Sequence, residues 1–181
     1  IHIPDNNDSI KNALYRLKFD QHFFLQLLKA LSKQKREEVT NQSFPDLGHY
    51  TKSIYKNLNF SLTNAQIKVL KEVRNDFISK KPMNRLIQGD VGCGKTIVAV
   101  LASSIICDNK AQVAVMAPTE ILAEQHYKTF KNYFSKYDIN CELLISNIKN
   151  NEKKNIKDDL KKGYINIIIG THALLQEEVE F

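Results

Sequence analysis

Apolar residues follow two alternating patterns along this chain. In some stretches they recur every three or four residues, as in helices with one buried face, and in others they form short runs typical of buried strands. The sequence predicts helices over residues 10–33, 64–77, 97–107, 121–134 and 150–162, and strands over residues 85–88, 112–116, 141–145 and 165–169. Because the later strands alternate with helices long enough to serve as crossovers, the pattern predicts an α/β fold with a parallel sheet.

The first 58 residues predict a helical connector in front of the domain that holds this sheet. Residues 1–8 are polar and indicate a linker, and Asp8 or Ser9 can cap a helix that starts at Ile10 and is broken near Asp20. The pattern weakens after residue 40, where turn signals accumulate. We therefore predict domains at 1–58 and 59–181. The first helix is compatible both with an arm that packs on another domain and with half of a helical hairpin.

Charge and composition narrow the class of protein. The net charge of +6 favours an anionic partner such as nucleic acid, although a lysine-rich solvated surface would give the same value. We find no apolar run long enough to span a bilayer and no secretory signal, so we expect no membrane association. The three cysteines show no C-x-x-C spacing, which disfavours a zinc site or a disulfide framework and fits a reducing cytoplasm.

The segment Gly89–Thr96 fits the phosphate-binding P-loop pattern G-x-x-x-x-G-K-[ST] between a predicted strand and a predicted helix. Backbone N–H groups in such a loop cradle a polyphosphate, and glycines leave room for it. Lys95 can reach the β- and γ-phosphates, and the Thr96 hydroxyl can ligate Mg²⁺, so these two are the candidate catalytic residues. The alternative is a glycine-rich turn that carries Lys-Thr by chance. The candidate nucleotide-binding residues in the loop are Gly89, Asp90, Val91, Gly92, Cys93, Gly94, Lys95 and Thr96.

Gln66 lies about two dozen residues before the loop, at the start of a predicted helix. With Thr63 as the N-cap, it completes a capping box and needs no further role. Its amide can also donate to and accept from one edge of adenine. Both interpretations stay open at this point.

Two threonines follow predicted strands at their carboxyl ends, where ligands of parallel sheets bind. Thr119 begins a helix after strand 112–116, and Thr171 follows strand 165–169. We expect an extended anionic ligand across both, although Thr119 can also be only an N-cap. For His172 we favour loop packing over a role as a base or metal ligand.

Together these segments resemble the motifs of superfamily 2 helicases. The match consists of Phe60-x-Leu62-Thr63-x-Ala65-Gln66, Gly89–Thr96, Ala117–His126 and Gly170–Gln176. The lead-in Arg85–Gly92 makes the chain most similar to the RecG family, which acts on stalled forks and Holliday junctions in recombination and repair. The resemblance is strong over 60–181 and weaker over 1–59.

The resemblance implies an incomplete RecA-like motor lobe after a helical connector. ATP with Mg²⁺ would bind at Gln66 and the P-loop, and Thr119 and Thr171 would touch the backbone of double-stranded or branched DNA. We expect a cytoplasmic monomer. The acidic box that completes the magnesium site would lie beyond Phe181, so we expect the isolated chain to be inactive. Alternatives are the motor of a transcription-repair coupling translocase, a non-catalytic nucleotide-binding remnant, and an unrelated P-loop ATPase.

Overall fold

The computed structural model describes residues 6–37, 42–176 and 178–181. It divides into two compact units, Ile1–Gln42 with Ser79–Pro82 and Ser43–Ile78 with Met83–Phe181. None of the helices in the described ranges is both long and apolar enough to cross a bilayer.

Helix α1 (Asn7–Glu37) dominates the first unit and differs from its prediction at two points. The Asn6 side chain accepts a hydrogen bond of 2.8 Å from the Ser9 N–H, so the cap is Asn6 and not Asp8 or Ser9. The predicted break near Asp20 is absent, and Asp20 pairs with Arg16 one turn earlier on the same helix. Residues 1–5 of the predicted linker lie outside the described residues.

The second unit contains a parallel sheet, as the sequence predicts. Its strands are β1 (Val113–Met116), β2 (Cys141–Leu144) and β3 (Ile167–Gly170), in the order β1-β3-β2. The helices are α2 (His49–Lys56), α3 (Asn64–Ile78), α4 (Lys95–Asp108), α5 (Glu120–Phe134) and α6 (Asn150–Lys161), and a 3-10 helix covers His172–Leu175. The strands begin and end within two residues of their predicted positions.

The two faces of the sheet are covered by different helices. On the central strand, Ile167 and Ile169 belong to one core with residues of α4 and α5, whereas Ile168 belongs to a second core with residues of α6. This separation follows from the two-residue period of a strand. Because the three strands are parallel, their carboxyl ends meet at one edge of the unit.

The predicted strand at 85–88 is wrong. This segment is extended without regular structure, and Leu86 is 87% exposed. Arg85 instead forms ion pairs with Glu72 and Asp76 of α3. A strand needs a neighbour that accepts and donates its backbone hydrogen bonds, and none of the described strands pairs with this segment.

Helices α2 and α3 pack on α4, so α4 is covered on more than one side. This explains why α4 is apolar around most of its circumference, with Val100 and Ser104 fully buried. Because α2 belongs to this packing, the compact unit begins at Ser43, ahead of the domain boundary proposed near residue 58. That boundary stays a prediction about where the motor begins.

Asp108, the last residue of α4, anchors the beginning of α2. Its carboxylate accepts hydrogen bonds of 3.0 Å from the backbone N–H groups of Gly48, Tyr50 and Thr51, and one of 2.6 Å from the Thr51 hydroxyl. The cap of α2 therefore comes from a residue about sixty positions away, since Gly48 has no side chain to supply it.

Candidate nucleotide-binding site

The P-loop takes the conformation that its glycines predict at two positions. Gly92 has φ 84° and Gly94 has φ 81°, values that residues with a side chain rarely adopt. Gly89 has an ordinary φ. A Cβ atom there would lie 2.7 Å from the Cys93 Sγ, so a larger residue would require the Cys93 side chain to move.

The N-terminus of α4 is open toward this loop. No side chain caps it, so the first N–H groups of the helix have neither an intrahelical nor a side-chain partner. At the N-terminus of α5, by contrast, the Thr119 hydroxyl oxygen accepts a hydrogen bond of 3.3 Å from the Leu122 N–H. The open terminus combines free donors with the positive end of the helix dipole, the arrangement that binds phosphate.

The backbone of the P-loop holds the Lys95 side chain in place. Its Nζ donates to the carbonyl oxygens of Gly89 at 2.8 Å and of Asp90 at 2.6 Å. The ammonium therefore lies at the mouth of the loop, on an exposed side chain. An entering phosphate would meet a cation that the loop has already positioned.

Both amide atoms of Gln66 bind protein. The Oε1 accepts from the Thr63 N–H at 2.9 Å, while the Gln66 N–H donates to the Thr63 hydroxyl at 3.2 Å, which is the predicted capping box. The Nε2 donates to the Cys93 carbonyl oxygen at 2.9 Å. Gln66 thus ties the start of α3 to the P-loop, a contact that the capping pattern alone does not predict.

Gln66 and the second half of the P-loop, apart from Lys95, border a cleft with a volume of about 480 Å³. Its lining comprises Phe60, Ser61, Thr63, Gln66, Gly92, Cys93, Gly94, Thr96, Ile97, Thr129 and Tyr133. The volume falls in the range of roughly 300–1,000 Å³ that is usual for small-molecule sites. Thr129 and Tyr133 of α5 were not predicted as site residues. Their four-residue spacing, which places both on one face of the helix, was the available signal.

The predicted DNA-contacting residues lie at the carboxyl edge of the sheet. Met116 of β1 pairs with Gly170 of β3, and the Ala117 N–H donates to the Gly170 carbonyl oxygen at 2.8 Å, so Thr119 and Thr171 follow adjacent strands. Thr119 is exposed, whereas Thr171 is only 9% exposed. His172, which follows Thr171, is exposed at this edge. The Thr119 hydroxyl is therefore accessible to a ligand at this edge, and a role of the Thr171 side chain in contacting DNA stays a prediction.

The cysteines give a chemical test of the cleft. We expect a maleimide at pH 8 to label only Cys93 in the folded chain, because Cys93 is exposed and both other cysteines are buried. Burial raises the pKa of Cys107 and of Cys141 to about 12 and keeps both thiols protonated. ATP at ten times its Kd should slow the labelling about tenfold by occupying the loop. Mass spectrometry of the labelled peptides measures both effects.

The Cys93→Ala variant is the control for this experiment, since it should take up no label until it is unfolded. Rapid labelling of Cys107 or Cys141 in the folded chain would contradict their burial. Labelling of Cys93 at the same rate with and without ATP would show that the nucleotide does not bind at this loop.

Comparison with known proteins identifies relatives of this chain. The DEAD/DEAH box helicase family matches residues 63–180. The ATP-dependent DNA helicase RecG of Thermotoga maritima is 45% identical over 100% of this chain and 23% of its own length. RecG of Bacillus subtilis is 40% identical over 100% of this chain and 27% of its own length. The chain thus spans about a quarter of the length of these curated relatives.

A solved structure agrees with this result. The structure of RecG bound to a three-way DNA junction superposes with a TM-score of 0.85 and 44% identity, covering 99% of this chain and 25% of that one. This similarity confirms the RecA-like fold and the resemblance inferred from the motifs. On the family match and on these relatives, the chain belongs to the DEAD/DEAH box helicase family.

Proposed function

We propose that this chain carries the first part of the ATP-binding lobe of a motor that moves on branched DNA, as in helicases of the RecG type. The observation that supports this proposal most is the pairing of Gln66 with the P-loop in one cleft, beside an open helix N-terminus. One relative of known structure, which covers 99% of this chain, was solved with a three-way DNA junction. The expectation of a cytoplasmic monomer stays a prediction.

The residues of the cleft suit the triphosphate of ATP. The N–H groups at the start of α4 would bind the phosphate oxygens, and Lys95 would exchange its two carbonyl acceptors for the β- and γ-phosphates. Phe60 and Tyr133 are aromatic groups in the same cleft and can border the base. The protein would thereby orient the phosphate chain before reaction, which is the main contribution that proteins make to phosphoryl transfer.

Thr96 fits the role predicted for it toward Mg²⁺. It lines the cleft, and the described part of the chain contains no group of three acidic, histidine or cysteine residues that could hold a metal alone. Mg²⁺ typically takes only one or two protein ligands and completes its octahedron with phosphate oxygens and water. Thr96 would supply such a ligand, and the ion would neutralise charge on the phosphates.

The carboxyl edge of the sheet would face the DNA. The Thr119 oxygen already accepts a hydrogen bond within α5, which leaves its hydroxyl hydrogen free to donate to a phosphate. Contacts of this kind carry no base information, so binding should be independent of sequence and sensitive to salt. Any preference for branched DNA would have to come from shape.

The test is ATP turnover by the full-length product of the gene, measured at one salt concentration without DNA, with linear duplex and with a four-way junction. We expect the junction to stimulate turnover more strongly than the duplex. Equal stimulation would instead favour a general duplex translocase such as a transcription-repair coupling motor. ATP binding without turnover on any DNA would favour the non-catalytic alternative.

A further inference from the structure

A second concave surface lies away from the nucleotide cleft, between α2 and α3 over the outer side of α4. We call it the α2–α3 groove. It has a volume of about 300 Å³, large enough for side chains of a ligand. Its floor is apolar and includes Leu62, Leu70, Leu101 and Ile105. None of the P-loop residues lines it, so the motor chemistry leaves this surface unexplained.

The rim of the α2–α3 groove is positively charged on both sides. Lys52 lies on the α2 side, and Lys71 and Arg74 lie on the α3 side. All three are exposed, and within the described ranges no carboxylate lies within 4.0 Å of any of them. Other cations of this unit are paired, such as Arg85 with Glu72 and Asp76. The groove therefore combines an apolar floor with three cations that form no ion pair with a carboxylate in the described part of the chain.

The groove also presents an exposed aromatic side chain. Tyr55 of α2 lines it and is 52% exposed. Tyrosine and arginine at the edge of an apolar depression are the residue types that contribute most to binding at protein interfaces. An aromatic ring held half in solvent gains contacts when a partner covers it.

We propose that the α2–α3 groove binds an acidic amphipathic peptide segment of a partner protein. Apolar side chains of the segment would enter the groove, and its carboxylates would pair with Lys52, Lys71 and Arg74. A helix that lies between two helices, with apolar anchors every three or four residues, is one of the recurring modes of peptide recognition. The positive rim favours a partner segment with negative charge, and the apolar floor favours a segment with an apolar face.

Duplex DNA fits this groove less well than such a peptide. Phosphates would match the rim, but DNA has no apolar side chains to cover the buried floor. The surface proposed for DNA, moreover, lies at the carboxyl edge of the sheet, near Thr119. A competition experiment with duplex DNA therefore separates the two ligands.

The test is fluorescence anisotropy with a labelled helical peptide that carries leucine and phenylalanine on one face and glutamate on the other. We expect it to bind the chain, and we expect a version with glutamine in place of every glutamate to bind about tenfold more weakly. A version with serine in place of the apolar residues should not bind. Equal binding of all three peptides would overturn the proposal.

Variants of the protein provide the second half of the test. Replacing Lys71 and Arg74 together by glutamate should weaken peptide binding about tenfold or more, because two attractions become repulsions. Tyr55→Ser should also weaken it, with little risk to folding since the ring is half exposed. The matched control for each single variant, Lys71→Glu or Arg74→Glu, is Lys154→Glu on α6, an exposed position outside the groove with the same change of charge.

The outcomes are decisive in both directions. Weaker peptide binding in the groove variants, with normal affinity in Lys154→Glu and normal binding of ATP in all of them, supports the proposal. An equal loss of peptide affinity in Lys154→Glu would show that the effect depends only on the net charge of the protein, and it would overturn the proposal. Displacement of the peptide by duplex DNA, with a parallel loss of DNA binding in the groove variants, would assign the rim to nucleic acid instead.

Discussion

Replacing Lys95 by methionine is expected to weaken the binding of ATP about 100-fold. A hydrogen bond to a charged group contributes about 1.5–3 kcal/mol, and the Lys95 ammonium can make more than one to the β- and γ-phosphates. The ammonium gives up its hydrogen bonds to the carbonyl oxygens of Gly89 and Asp90, at 2.8 and 2.6 Å, when it binds the phosphates, so only the net gain of about 2.8 kcal/mol appears in the affinity. Methionine keeps an unbranched, flexible side chain that is one heavy atom shorter, and it removes the charge and the donors.

A fluorescent ATP analogue titrated against both proteins measures this loss. Lys154→Met is the matched control, because it removes the same charge from an exposed helix position outside the cleft. Its affinity should stay near that of the parent. If Lys95→Met bound the analogue as tightly as the parent, or if Lys154→Met lost as much affinity, the placement of the phosphates on the P-loop would be wrong.

Replacing Asp108 by alanine is expected to lower the free energy of unfolding by about 3 kcal/mol. Three backbone N–H groups and the Thr51 hydroxyl would lose their common acceptor. Each unsatisfied donor in a half-buried place costs about 1–3 kcal/mol, and water recovers only part of that. The loss also removes a negative charge from the N-terminus of α2, where the helix dipole favours it.

Urea unfolding gives the size of this effect through the shift of the midpoint at unchanged slope. Asp108→Asn should be intermediate, because it keeps one acceptor oxygen but no charge. Asp159→Ala is the control, since Asp159 is exposed on α6. A midpoint for Asp108→Ala equal to that of Asp159→Ala would show that the anchor of α2 contributes nothing to stability.

The features that the sequence predicts well depend on neighbouring residues. The three strands and their helices follow from local periodicity, and the φ values of Gly92 and Gly94 follow from residue type. Gly163 likewise ends α6 with φ 78°, as its position after the last helical turn predicts. In each case the physical cause lies within a few residues along the chain.

The features that the sequence does not predict depend on contacts between residues that are far apart along the chain. Residues 85–88 are apolar enough for a strand, yet a strand also requires a neighbour, and Arg85 is drawn to α3 instead. Asp108 resembles an ordinary turn residue, and only the fold shows that it caps a helix some sixty positions earlier. The contact of Gln66 with Cys93 spans 27 residues and belongs to the same class.

The anchor formed by Asp108 has a practical consequence for recombinant production. The helicase motifs begin near Phe60, so motif boundaries alone would suggest expressing the protein from about residue 59. Such a truncation would remove α2, take Ile54 out of the core that contains Val100 and Leu101, and leave the Asp108 carboxylate without its donors. The recombinant protein should start no later than Ser43, because the segment before the first motif is part of the folding unit.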